Sequence, residues 1–237
     1  MDAKDLAAKI EKEYEAAMRA DKSISTLYGK VSAGTATYEE AGKFASMSGD
    51  HIGNILIRNL DEVYPDGITV SEAMDLIPPP LRKNEEYVAN VTARIQRTMN
   101  EKAGVGLRAL PGEMDAAKVA DLAENVANGA SPEQILKQCE NISRKIVDNA
   151  AQRNAKAQSR AGMEVRVTRE YDDVGVHNGK DRCQWCLSRC GTNMTYAEAY
   201  AKGAFERHEG CGCIITYTNK KGKVTRQTEK GGYWTEI

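Results

Sequence analysis

The sequence predicts an α+β protein, a mainly α-helical region over residues 1–161 followed by a small α+β module over residues 162–237. Three observations predict it. Apolar residues recur every three or four positions through the first 160 residues, which is the period of a half-buried helix. After Gly162 the pattern changes to alternation, with Val165 and Val167 set between charged residues, which is the period of a strand. Five of the six cysteines then fall between 183 and 213, in the part of the chain with the fewest large apolar residues.

The helical region opens with Asp2 as a cap, followed by Leu6, Ile10, Tyr14 and Met18 on one face. Thr37 and Glu40 form a capping box for a second helix running toward Leu60, with Phe44, Ile52, Ile55 and Leu56 on its buried side. YPDG at 64–67 is a turn, and Thr69–Ile77 is a short helix that stops before Pro78, Pro79 and Pro80, where the region could subdivide. Val88, Val91, Ile95 and Met99 mark the next helix, closed by Gly104 and Gly106. Val119, Leu122, Ala123 and Val126 mark a shorter one, ended by Asn128-Gly129. Ser131 and Pro132 start the best-marked helix, which carries Ile135, Cys139, Ile142 and Ile146. Its later turns hold small residues with Arg144, Lys145, Arg153, Lys156 and Arg160, either a solvated face or a surface for another subunit or nucleic acid.

In the module, Thr195, Glu198 and Gly203 bound a short capped helix, and residues 213–230 read as a β-hairpin. Composition limits the function classes. A net charge of −1 excludes a globally basic nucleic-acid binder, and no apolar run approaches the roughly 20 residues of a membrane span. The acidic, amphipathic start is not that of a signal or transit peptide, so folding in a cytosol with reduced thiols is expected.

Reduced cysteines at this spacing point to a metal. Cys183-x-x-Cys186 presents two thiolates from one tight turn, and after 21 intervening residues His208-x-x-Cys211-x-Cys213 supplies the rest. Zinc takes four donors. Cys183, Cys186, Cys211 and either His208 or Cys213 are favoured, with Cys190 the weakest candidate. A dithiol redox role and unmetallated cysteines are the competing readings; the first usually accompanies a βαβ unit, which this segment lacks. A structural metal suits a module whose large apolar residues are few, and the ligand order matches neither H-x-E…P-C-x-x-C deaminases nor H-E-x-x-H proteases. Cys139 reads as a small buried hydrophobe and His51 as a half-buried histidine. Asp172, Asp173 and Asp181 read as loop acids beside the metal module. No phosphate loop, nucleophile elbow or small-molecule substrate motif is present, and no catalytic residue is assigned.

The order basic helix, strand, D-x-C-x-x-C, about twenty residues, H-x-x-C-x-C-x-I resembles the Mu F-like phage head-morphogenesis, or minor capsid, proteins over roughly residues 135–220. The matching residues are Asp181, Cys183, Cys186, Gly191, His208, Cys211, Cys213 and Ile214. Where the family commonly shows H-P-N-C-R-C this chain has HEGCGC, without the proline and arginine. The resemblance implies a non-enzymatic virion component of a tailed phage, made in the bacterial host cytoplasm. It would associate with portal or capsid subunits and serve head morphogenesis or DNA ejection. Lys220, Lys221, Lys223 and Arg226 would then touch packaged DNA, or else form a charged edge that blocks strand pairing. The alternative is a small phage-associated nuclease or effector enzyme acting on RNA or DNA.

Overall fold

Side-chain caps set the helix starts. In the computed structural model, which describes residues 2–171, 183–208, 210–220, 225–227 and 234–236, the Asp2 carboxylate accepts from the Asp5 N–H and starts α1 (Ala3–Ala20). Asp21 ends α1 and caps α2 (Lys22–Ser32), accepting from the Ser23 and Ile24 N–H groups. The sequence reading passed over α2 because it buries only Ile24 and Val31 and has no sustained apolar stripe. His51 reaches back to the same carboxylate at 2.8 Å and is half-buried, as expected of it. Capping boxes start α3 (Tyr38–Val63) and α4 (Val70–Leu76) where the sequence placed them. Pro78, Pro79 and Pro80 form the first turn of α5 (Pro78–Lys102). Their missing N–H groups fall where a helix has no internal acceptor, so α5 starts ten residues before the Val88 stripe that announced it. Ile77 and Leu81, on either side of the prolines, are fully buried in one core. Next come α6 (Ala116–Ala127) and α7 (Pro132–Arg160).

The helices pack around α7, and α3 lies closest to it. Two glycines permit the approach. A Cβ on Gly49 would stand 2.6 Å from the Glu140 Cα, and one on Gly53 would stand 2.9 Å from the Leu136 Cδ1. Gly49→Ala is therefore expected to force α3 off α7 and lower stability by about 1–3 kcal/mol. Gly42→Ala, on the same helix with nothing within 4 Å of the new methyl, should be neutral or stabilising by up to about 1 kcal/mol. Urea midpoints of the two variants test the contrast. A buried polar chain ties the same bundle together. Tyr14 and Ser48 both donate to the Asn84 carbonyl oxygen, and the Asn84 amide donates to Ser143 on α7.

After α7 the chain turns through Gly162, at φ 78°, into β1 (Glu164–Glu170). Then follow α8 (Gln184–Arg189), β2 (Gly191–Met194), α9 (Tyr196–Ala201), β3 (Ile214–Lys220), β4 (Thr225–Gln227) and β5 (Trp234–Glu236). The antiparallel sheet has the order β2-β1-β3, with Val167 opposite both Met194 and Tyr217. Its inner face carries Val165, Val167, Ile215 and Tyr217 into the same core as the helices. Tyr217 and Tyr38 both donate to the Gln96 carbonyl oxygen, while Asn219 donates to Gln158, which joins the sheet to α3, α5 and α7.

The run read as a single hairpin divides. β3 pairs with β1, about fifty residues upstream, and β4 pairs with β5 in a separate two-stranded sheet. The apolar alternation of β3 matches that of β1, and a buried inner face fixes that register more firmly than a turn does. Lys220 ends β3 and Arg226 lies in β4; Lys221 and Lys223, with the turn between the strands, lie outside the described residues. So do Asp172, Asp173 and Asp181. No helix among the described residues is long and apolar enough to cross a membrane.

Candidate metal centre

Cys183 sits at the cap position of α8, its N–H bonded to the Tyr171 hydroxyl at 2.9 Å. One helical turn later Cys186 points inward and is buried. The second group comes from the turn before β3. Gly210 adopts φ 69°, a left-handed conformation open to glycine, and the Cys211 N–H bonds back to the His208 carbonyl. This turn delivers His208, Cys211 and Cys213 toward Cys186.

Two donor triads result, Cys183 with Cys186 and His208, and Cys186 with Cys211 and Cys213. In each, the donor atoms lie within 4.8 Å of one another, and Cys186 belongs to both. The His208 Nε2 is 2.9 Å from the Cys186 sulfur and 3.4 Å from that of Cys183, and the Cys186 and Cys211 sulfurs are 3.6 Å apart. Zinc with bonds of about 2.3 Å to sulfur and about 2.0 Å to nitrogen would separate its ligands by about 3.5–3.8 Å. The donor set and most of its spacings thus fit a tetrahedral ion with soft ligands. All five predicted ligands converge. Cys190 belongs to neither triad; it ends α8, and its carbonyl accepts from Lys202. Cys139 is fully buried on α7, where burial pushes its thiol up to about 12.

The thiols influence one another strongly. Burial first, and then the neighbouring Cys211, push Cys186 up to about 12. The Cys211 thiol is raised by its hydrogen bond to Cys213 and by burial. Cys213 is lowered, first by that same hydrogen bond and with help from Arg169. A divalent cation would favour ionising several of these thiols together.

Three arginines surround the second triad. Arg207 is 3% exposed, binds both oxygens of Asp148 on α7 at 2.7 and 3.0 Å, and donates to the Cys211 and Cys213 carbonyls. Arg144 on α7 donates to the carbonyls of Gly212 and Cys213. Arg169 on β1 donates to the Cys211 sulfur at 3.3 Å. Lys145 bonds to the Phe205 carbonyl. The early basic residues of α7 are therefore the docking surface for this chain's own module, not a solvated face; Lys156 and Arg160 farther along are exposed. Trp185 completes the wall, edge-on to His208 at 4.9 Å with the Arg189 guanidinium 3.8 Å from its ring.

Sequence reasoning missed Arg169, Arg207 and Asp148. A signal existed for two of them. Arg169 occupies an inner-face position in the Val165, Val167 alternation, and Asp148 falls among the buried residues of α7, so each charge was placed where a core residue belongs. No family model, no curated protein and no solved structure matches the chain.

Proposed function

We propose that this cluster is a structural zinc site, and that the chain is a minor head protein of a tailed phage acting in head morphogenesis or DNA ejection. The observation that carries the metal assignment is the convergence of two separated Cys/His groups on Cys186 at ligand spacing. Thiolate and imidazole donors suit zinc rather than calcium or magnesium. A shell with Cys186, Cys211 and Cys213 buried and enough protein donors for four positions leaves none for an activated water, which favours a structural site. The module gains a fastening that its few large side chains do not supply.

Support for the phage assignment is the motif order at 181–214, from Asp181 through Ile214. On this reading the helical body docks against portal or capsid subunits, the basic residues from Lys220 to Arg226 face packaged DNA, and the protein resides in the virion. Purified protein should hold one zinc per chain, and particles produced from the genome that encodes it should contain it in few copies, together with portal. Metal-free reduced protein would overturn the zinc assignment, and its absence from particles would overturn the phage assignment. Cleavage of DNA or RNA that survives chelation and is lost in His208→Ala would favour the nuclease alternative.

A further inference from the structure

Arg169 is 1% exposed and occupies the inner face of a strand, where apolar side chains are the rule. A guanidinium in such a place is costly unless an anion faces it. Its neighbours Arg207 and Arg144 have theirs, Asp148 at 2.7 Å and Glu140 at 3.4 Å. Arg169 pairs with no carboxylate among the described residues. One terminal nitrogen donates to the Ala204 and Glu206 carbonyls, and the other donates to the Cys211 sulfur. Its Nε is buried without a partner, and Trp185 covers the guanidinium at 5.6 Å. The anion it faces is the cysteine cluster itself.

We infer that Arg169 is the counter-ion of a singly negative metal centre, and that this balance fixes the ligands as Cys183, Cys186, Cys211 and His208. The inference rests on the zinc reading above. A divalent ion with three thiolates and a neutral imidazole carries one negative charge, which one guanidinium neutralises; four thiolates would carry two, and among the described residues no second unpaired cation faces the sulfurs. Geometry admits these donors and also Cys213, within 4.8 Å of Cys186 and Cys211, so the charge decides between them. His208 lies within reach of both Cys183 and Cys186, and Cys211, the sulfur that Arg169 holds, is 3.6 Å from Cys186. Cys213 is the remaining thiol. It stays outside the shell and serves through its carbonyl, which accepts from Arg144 and Arg207. Arg169 is thus a positioning residue, orienting Cys211 and setting the charge of the site.

Cobalt substituted for zinc in the full chain tests this, because the thiolate-to-cobalt absorption grows with the number of coordinating thiolates. Cys213→Ser should bind one cobalt with an unchanged band. Cys183→Ser, Cys186→Ser and Cys211→Ser should each weaken the band, and His208→Ala should weaken binding while the thiolate band persists at saturation. Arg169→Met should lower zinc affinity by about 10–100-fold at unchanged stoichiometry, and Arg169→Lys, which keeps the charge, should recover part of the loss. Loss of the band in Cys213→Ser with normal binding by His208→Ala would overturn the ligand assignment while leaving the zinc reading standing. Equal affinity of Arg169→Met and wild type would overturn the counter-ion role. Wild-type protein that binds neither metal would overturn both.

Discussion

Cys186→Ser is expected to weaken metal binding sharply and loosen α8 and the turn bearing His208, Cys211 and Cys213 while leaving α1–α7 folded. Cys186 is the one donor common to both triads, so its loss breaks both at once. Loss of a structural metal falls among the few single changes that cost about 4–5 kcal/mol or more. The effect should be local. The helices share one apolar core with Val165, Val167, Ile215 and Tyr217 of the sheet, whereas the turn bearing His208, Cys211 and Cys213 is held by arginines that reach its carbonyls and, on the zinc reading, by the ion. Hydrogen exchange should therefore accelerate in α8 and in residues 210–213, with helical circular dichroism nearly unchanged. Cys190→Ser, outside both triads, should match wild type. Full metal occupancy in Cys186→Ser would sink the expectation, and uniform unfolding would show that helices and sheet are one cooperative unit.

That locality follows from features of very different visibility in the sequence. Helix starts were legible because capping is local, with Asp2, Thr37, Thr69, Ser131 and Thr195 each followed within three residues by what they bond. The candidate donors were legible for a related reason, since C-x-x-C and H-x-x-C-x-C carry their spacing in one short stretch each. Strand pairing was not. Whether β3 takes β4 or β1 as its neighbour depends on an inner face shared across about fifty residues, which no local pattern encodes. The charged residues behind the metal donors were hidden more deeply. Arg144 and Lys145 look like ordinary surface cations until the turn carrying Cys211 and Cys213 is laid against them. Arg169 and Asp148 break the apolar pattern without saying what they face.

Asp148 tests how far that hidden layer matters. Its carboxylate and the Arg207 guanidinium are each only 3% exposed. Asp148→Ala leaves a buried cation with no counter-charge, and a loss of about 3–5 kcal/mol is expected from urea denaturation. Replacing both partners, as Asp148→Leu with Arg207→Met, should cost clearly less than the sum of the single changes, because the penalty of each lies in the charge it strands. The double variant should still fall short of wild type. Arg207 also donates to the Cys211 and Cys213 carbonyls, and a methionine leaves the first unfilled and the second to Arg144 alone. The shortfall should therefore appear in zinc affinity as well as in stability, since the same carbonyls belong to the turn that delivers Cys211. Single-variant costs that simply add would mean that ion pair and metal turn are independent. A double variant with intact zinc affinity would mean that Arg144 alone holds the turn.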